Sequence, residues 1–240
     1  MAELTRTALA YSAAGGNINN IAGIDLYPFL MNHDGIDSEG AAAVAAAYIT
    51  SKNSISNSLE RTNRYPDLLF YQLLDMQLAD GSWPLAGQKQ GDLVATAWVL
   101  TALASEVSSE QTAQPIEKAL QWLKSKQQLD GGFDGKTTTT AQVIVALSSQ
   151  GVDAADFTKE GGASLLDHLL ARKLTGGGFA QTAGGGNDSP ATVQAYLALT
   201  SYKLLSKQAG MLYSGLHHAG LDRATIQVEG PGGTLAGGHI

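Results

Sequence analysis

Two kinds of apolar pattern alternate along the chain. One is an amphipathic stripe at helical spacing with charges left over for a solvated side, as in residues 115–128, where Glu117, Lys118, Lys124 and Lys126 are available to face water. The other is a run of small or apolar residues with no charge, as in residues 41–47, 95–103 and 143–147. Together they predict helices over residues 4–14, 23–31, 40–50, 67–78, 93–104, 115–128, 139–149, 162–173 and 190–207, with one more short helix within 207–218. Pro66 and Pro115 suit first helical turns, Asp92 suits an N-cap, and Gly15-Gly16-Asn17 suits a left-handed stop. A helix without a charged face must be enclosed. The economical architecture is a ring with the uncharged helices parallel on the inside and the amphipathic ones outside. The expected fold class is therefore all-α, an α/α toroid of about 4–5 hairpins spanning residues 1–221. After Leu221 the pattern changes: residues 225–229 alternate with period two and read as a short β-strand. A lone strand is not stable, so residues 222–240 are expected to begin a truncated β domain or to pair with another chain.

The alternation is also a sequence repeat. Gln77, Gly81 and Trp83 recur as Gln127, Gly131 and Phe133, and again as Gly177 and Phe179 with Lys173 in place of the glutamine. The three loop aromatics are separated by 50 and then 46 residues, and a weaker copy lies at residues 33–36. Each loop is followed by an uncharged helix in which Thr96, Thr140 and Thr192 correspond, as do Trp98, Gln142 and Gln194. A period near 50 marks stacked units that cannot bury their apolar faces singly. The loop aromatics are read as structural, pinning each loop to its helix.

These motifs resemble the QW-type repeat of the terpenoid cyclase and protein prenyltransferase toroid superfamily over roughly residues 4–207. Within it the chain looks most similar to bacterial surface proteins with prenyltransferase-like repeats and to the helical domain of the transcobalamin and intrinsic factor group. Residues 225–233 resemble the start of the small β domain that follows the toroid there. The resemblance implies an extracellular or cell-surface location in a bacterium, although the chain shows no signal peptide, and a small molecule, surface protein or glycan as partner.

Chemistry expected of the superfamily's enzymes is absent from the sequence. A cyclase needs a D-x-D-D cluster to protonate an alkene, and none occurs. A protein prenyltransferase needs a zinc site of Asp, Cys and His. The chain has no cysteine, and His33, His168, His217, His218 and His239 show no ligand spacing with carboxylates. Neither the spacing of Asp130, Asp134 and Asp153 nor the run 184–188 fits a calcium or phosphate loop. The expectation is a protein without catalytic residues, metal or required cofactor. A degenerate cyclase or prenyltransferase is the enzymatic alternative. A net charge of −7 argues against nucleic acid and anionic membranes as partners, and no apolar run reaches membrane-spanning length.

What remains is binding. The inner helices all start at one rim, where helix N-termini favour anionic or acceptor-rich groups. Asp92, Thr96, Thr140, Asn187 and Asp188 collect there, with Trp98, Gln142 and Gln194 deeper in the lumen. The resemblance to transcobalamin-type proteins makes a corrinoid the first candidate ligand. Asp and Thr at helix starts are also the residues that cap helices, and buried glutamines can bridge backbones. A structural or adhesive repeat domain without a small ligand is therefore the competing reading.

Overall fold

The uncharged segments are the enclosed ones. In a computed structural model, which describes residues 7–9, 11, 16, 18–26, 36–54, 64–106 and 109–213, every residue from 41 to 51 is buried, and Val143–Leu147 are at most 1% exposed. The helices are α1 (Ala41–Ser54, after a 3-10 turn at Ile36–Glu39), α2 (Arg64–Asp75), α3 (Leu93–Leu103, continued by a 3-10 turn Ala104–Glu106), α4 (Glu110–Lys126), α5 (Thr137–Ser149), α6 (Leu165–Ala171) and α7 (Ser189–Ser206). The described residues contain isolated β-bridges but no sheet.

The uncharged helices pack side by side in the order α1, α3, α5, α7. Each of α1, α3 and α5 is also covered by the amphipathic helix that follows it: α2, α4 and α6. Hydrogen bonds show that the inner helices are parallel. At one rim, Gly40 before α1 pairs with Leu85 in the loop before α3. At the same rim, the Thr137 N–H donates to the Gln181 carbonyl and the Thr137 hydroxyl to the Ala180 carbonyl (2.9 and 2.6 Å), in the loop before α7. At the opposite end, Gln150 Nε2 of α5's C-cap donates to the Leu100 carbonyl of α3 (2.6 Å). Alternating parallel inner helices and outer helices are the arrangement of an α/α toroid.

The glycine-aromatic loops set the register of each unit. Trp83, Phe133 and Phe179 are essentially fully buried, and their amides are satisfied in the same way three times. The Trp83 N–H donates to Thr96 Oγ1 (2.9 Å), that of Phe133 to Thr140 Oγ1 (3.1 Å) and that of Phe179 to Thr192 Oγ1 (2.9 Å). A buried amide without a partner costs roughly 1–3 kcal/mol, so this threonine is a structural requirement. The repeat glutamines join one unit to the next. Gln77 Nε2 donates to the Gly81 and Pro115 carbonyls, and Gln127 Nε2 to those of Gly131 and Phe157.

The structure departs from the sequence reading at element ends. Pro115 lies inside α4, which starts five residues earlier because Ser109 caps it. α2 stops at Asp75, where Leu78 turns back to donate to the Ser82 carbonyl. α6 is only seven residues long; Ser164 and Asp167 form a capping box after a bridge between Thr158 and Ser164. Residues 207–213 are not helical: Gln208 and Gly210 have positive φ and end α7. Residues 21–24 form a turn closed by an Ile21–Ile24 pair in place of a helix start. Residues 7–9 and 11 are helical, whereas most of the expected helix over 23–31 and the strand at 225–229, with residues 222–240, lie outside the described residues. One inner helix is not fully enclosed: Val193 and Tyr196 of α7 are 58% and 54% exposed.

Glycine at the loop turn is tested by two substitutions. Gly131 and Gly177 have nearly the same φ (+86° and +89°), but a side-chain carbon at Gly131 would lie 2.1 Å from the Ser164 carbonyl oxygen, while at Gly177 it would meet no atom within 4 Å. Gly177→Ala is expected to lower stability by about 1–2 kcal/mol, the cost of a left-handed residue. Gly131→Ala is expected to lose about 2 kcal/mol more, because backbone must move. Urea unfolding of both variants measures the difference.

Candidate functional site

The first turns of the inner helices and the layer just beyond them differ in how their polar atoms are used. At the rim, Asp92 caps α3 by accepting from the Ala95 N–H, and Asp188 caps α7 by accepting from the Ala191 N–H, each at 2.8 Å. Thr96 and Thr140 hold the loop amides, and Asn187 Oδ1 accepts from the Thr192 hydroxyl (3.1 Å). The start of α5 carries no side-chain cap from Lys136. Gln181 supplies it from the neighbouring loop: its carbonyl and Oε1 accept the Thr137 and Thr138 N–H groups, and its Nε2 donates to Thr138 Oγ1 (2.9 Å). The sequence reading missed Gln181, whose role depends on two helix starts being adjacent in space. Asp92 and Asp188 thus act as helix caps, whereas Thr96, Thr140 and Thr192 hold loop amides.

The layer two positions further along the inner helices is different. Trp98, Gln142 and Gln194 each stand two positions after the loop-holding threonine, on three consecutive inner helices. Trp98 is 9% exposed and stacks on Tyr213 (centroids 6.2 Å apart, planes 21°), so the turn after α7 reaches back across to α3. Burial raises the pKa of the Tyr213 phenol, which keeps it protonated. Gln142 is 5% exposed, and its buried Nε2 has no hydrogen-bond partner among the described residues. Gln194 is half-buried.

A second set of polar groups ties each loop to the outer helix after it. Asp80 Oδ1 accepts from the Ser82 N–H and hydroxyl, and its Oδ2 accepts from Trp122 Nε1 (3.0 Å) on α4. Burial opposes ionisation there, but these donors outweigh it and lower the Asp80 pKa. One unit later Asp130 takes the same place. His168 Nδ1 of α6 lies 3.2 Å and Arg172 Nη2 3.6 Å from its Oδ2. His168 is 3% exposed, its ring lies against Gly132, and its Nε2 has no partner among the described residues. Burial, aided by Arg172 and opposed by Asp130, lowers its pKa. The sequence carried one signal of this staple: Trp122 and Lys126 recur as His168 and Arg172 at the same separation and spacing. At the opposite rim, Glu106 accepts from the Tyr48 hydroxyl (2.8 Å) and Lys52 Nζ (2.9 Å) beside a cavity of about 210 Å³ that Phe70 and Tyr71 also line. Among the described residues no three of His, Asp and Glu are grouped to hold a metal ion, and no helix is long and apolar enough to cross a membrane.

Parallel inner helices, outer helices that follow them, and glycine-aromatic loops at one rim define an α/α toroid protein. The family model of the prenyltransferase alpha-alpha toroid domain matches residues 37–143 and 72–226, and the chain belongs to that family. No curated protein matches it. Membership fixes the fold and leaves the activity to be argued from the site.

The buried histidine makes stability pH-dependent. With its folded pKa below the ordinary 6.5, the unfolded chain binds more protons in the interval between the two values. The contribution is present above about pH 6.5 and is lost as pH falls through the folded value. His168→Gln is expected to flatten the fall in urea midpoint between about pH 7.5 and 5.5 relative to the parent chain; an unchanged slope contradicts the assignment.

Proposed function

We propose that this toroid is a non-catalytic binding module that takes a small ligand at the lumen layer of Trp98, Gln142 and Gln194. The rim groups Asp92, Thr96, Thr140, Asn187 and Asp188 frame that layer, and a corrinoid is the first ligand to test. The observation that supports this reading is the Gln142 side chain, almost wholly buried with an N–H group that no described residue accepts. An unmet buried donor destabilises by roughly 1–3 kcal/mol, and a ligand acceptor reaching it recovers that energy on binding. The neighbouring Trp98 offers a flat apolar face to the same layer once Tyr213 moves aside.

The corrinoid, the bacterial cell-surface location and a β domain over residues 222–240 come from the resemblance to transcobalamin-type and surface-repeat proteins. The competing reading is a structural or adhesive repeat that engages a surface protein or glycan without a small ligand. It is favoured by one observation: the rim aspartates and threonines already have partners within the fold. A degenerate cyclase or prenyltransferase is tested by product analysis after incubation with isoprenoid diphosphates.

Titration with cobalamin and with cobinamide, followed by absorbance, separates these readings. The binding reading expects saturation at or below micromolar concentrations and about tenfold or weaker affinity in Gln142→Leu. That variant should fold with equal or greater stability because the unmet donor is gone. No spectral change at high micromolar concentration removes the corrinoid. A loss of stability in Gln142→Leu would show that the glutamine is structural.

A further inference from the structure

We infer that the turn after α7 is a built-in stopper: Tyr213 occupies the flat face of Trp98, and a ligand with a planar conjugated ring displaces it. This rests on the binding reading of the Trp98, Gln142 and Gln194 layer and adds how access to that layer is controlled. It does not need the ligand to be a corrinoid. The first observation is the path of the chain. α3 and α5 are each followed by a segment that leads to a covering helix, α4 and α6. The segment after α7 leads back to α3 instead, where Tyr213 stacks on Trp98, although α5 stands between the two helices in the packing order. Trp98 lies in the second turn of α3, while the segment leaves α7 at its far end. Gln194, which matches Trp98 on α7, precedes the helix end at Ser206 by about 18 Å at the rise of an α-helix. The chain therefore doubles back along parallel helices, and the left-handed backbone of Gln208 (φ +52°) and Gly210 (φ +96°) reverses it.

The second observation is how the segment is held. At its root the Gln208 and Ala209 N–H groups donate to the Leu205 and Leu204 carbonyls, each at 2.9 Å, and fasten it to α7 itself. At its tip Leu212 and Tyr213 are partly buried against the core. Between these two anchors residues 207–210 are exposed. A segment with exposed backbone between two small anchors opens at lower free energy than the helices it lies on.

The stack also defines the chemistry of what replaces Tyr213. The Trp98 indole receives a flat ring in a nearly parallel orientation, with planes 21° apart, an arrangement that aromatic pairs favour when offset. From the matching position on the next inner helix, the buried Nε2 of Gln142 has no acceptor among the described residues. Tyr213 supplies the ring and leaves that donor unmet. The ligand is thus a planar conjugated molecule that carries a hydrogen-bond acceptor at its edge.

The test compares the intact ¹⁵N-labelled chain with its Tyr213→Ala and Tyr213→Phe variants. The probe is anilinonaphthalene sulfonate, whose flat conjugated rings carry an acceptor-rich sulfonate. Tyr213→Ala is expected to move the Trp98 indole resonance before any probe is added. It is then expected to bind the probe saturably, with shifts centred on Trp98 and about tenfold or greater affinity than the parent chain. Tyr213→Phe keeps the ring and is expected to behave as the parent chain does. An unmoved Trp98 resonance, equal affinity in Tyr213→Ala and the parent, shifts centred elsewhere, or Tyr213→Phe matching Tyr213→Ala overturns the stopper. The Gln142 side-chain amide separates the two readings: shifts at Trp98 that spare it uphold the stopper and remove Gln142 from the binding site.

Discussion

A buried amide next to a glycine turn governs this fold. Each loop must swing from an outer helix into an inner one while placing an aromatic ring in the core, and that leaves the ring residue's N–H away from water. The threonine one turn into the next helix accepts it, at Thr96, Thr140 and Thr192 alike. Because the acceptor sits at a fixed place on the helix, the bond fixes the rotation of that helix about its axis. The correspondence of side-chain positions between the units follows from that rotation.

This constraint divides the polar residues of the inner helices into two groups. Those at the first turn are committed to caps and loop amides. The position two residues beyond the threonine has no such duty, and it is there that the units diverge into Trp98, Gln142 and Gln194. The framework therefore repeats while this one layer varies. The outer side follows a similar logic: Asp80 and Asp130 occupy one structural place, but one accepts from an indole and the other faces a buried imidazole with an arginine behind it. The second pair brings a proton-sensitive group into the joint between units.

Much of this was legible in the sequence. The alternation of charged and uncharged helices is a burial signal, and burial follows it closely in α1, α3 and α5. The equivalence of the threonines and of the lumen residues could be read from the repeat alone. Element ends could not. Pro115 looks like a helix start, yet Ser109 offers a side-chain cap earlier, and the cap decides. Gln181 and the Asp130–His168 pair lack a local mark for a different reason: each joins residues about 40 positions apart, and only the recurrence of Trp122 and Lys126 as His168 and Arg172 signals the second. α7 shows the limit of reading burial from composition. Its sequence is that of an inner helix, but exposure depends on what packs against it, and Val193 and Tyr196 face outward.

The most direct test of the loop-to-threonine bond is native-state hydrogen exchange of the Trp83 and Phe133 amides. The account predicts that both exchange only through global unfolding, with protection equal to the slowest amides of α3 and α5, although both lie in loops. Exchange of these two amides at the rate of ordinary surface-loop residues would contradict it.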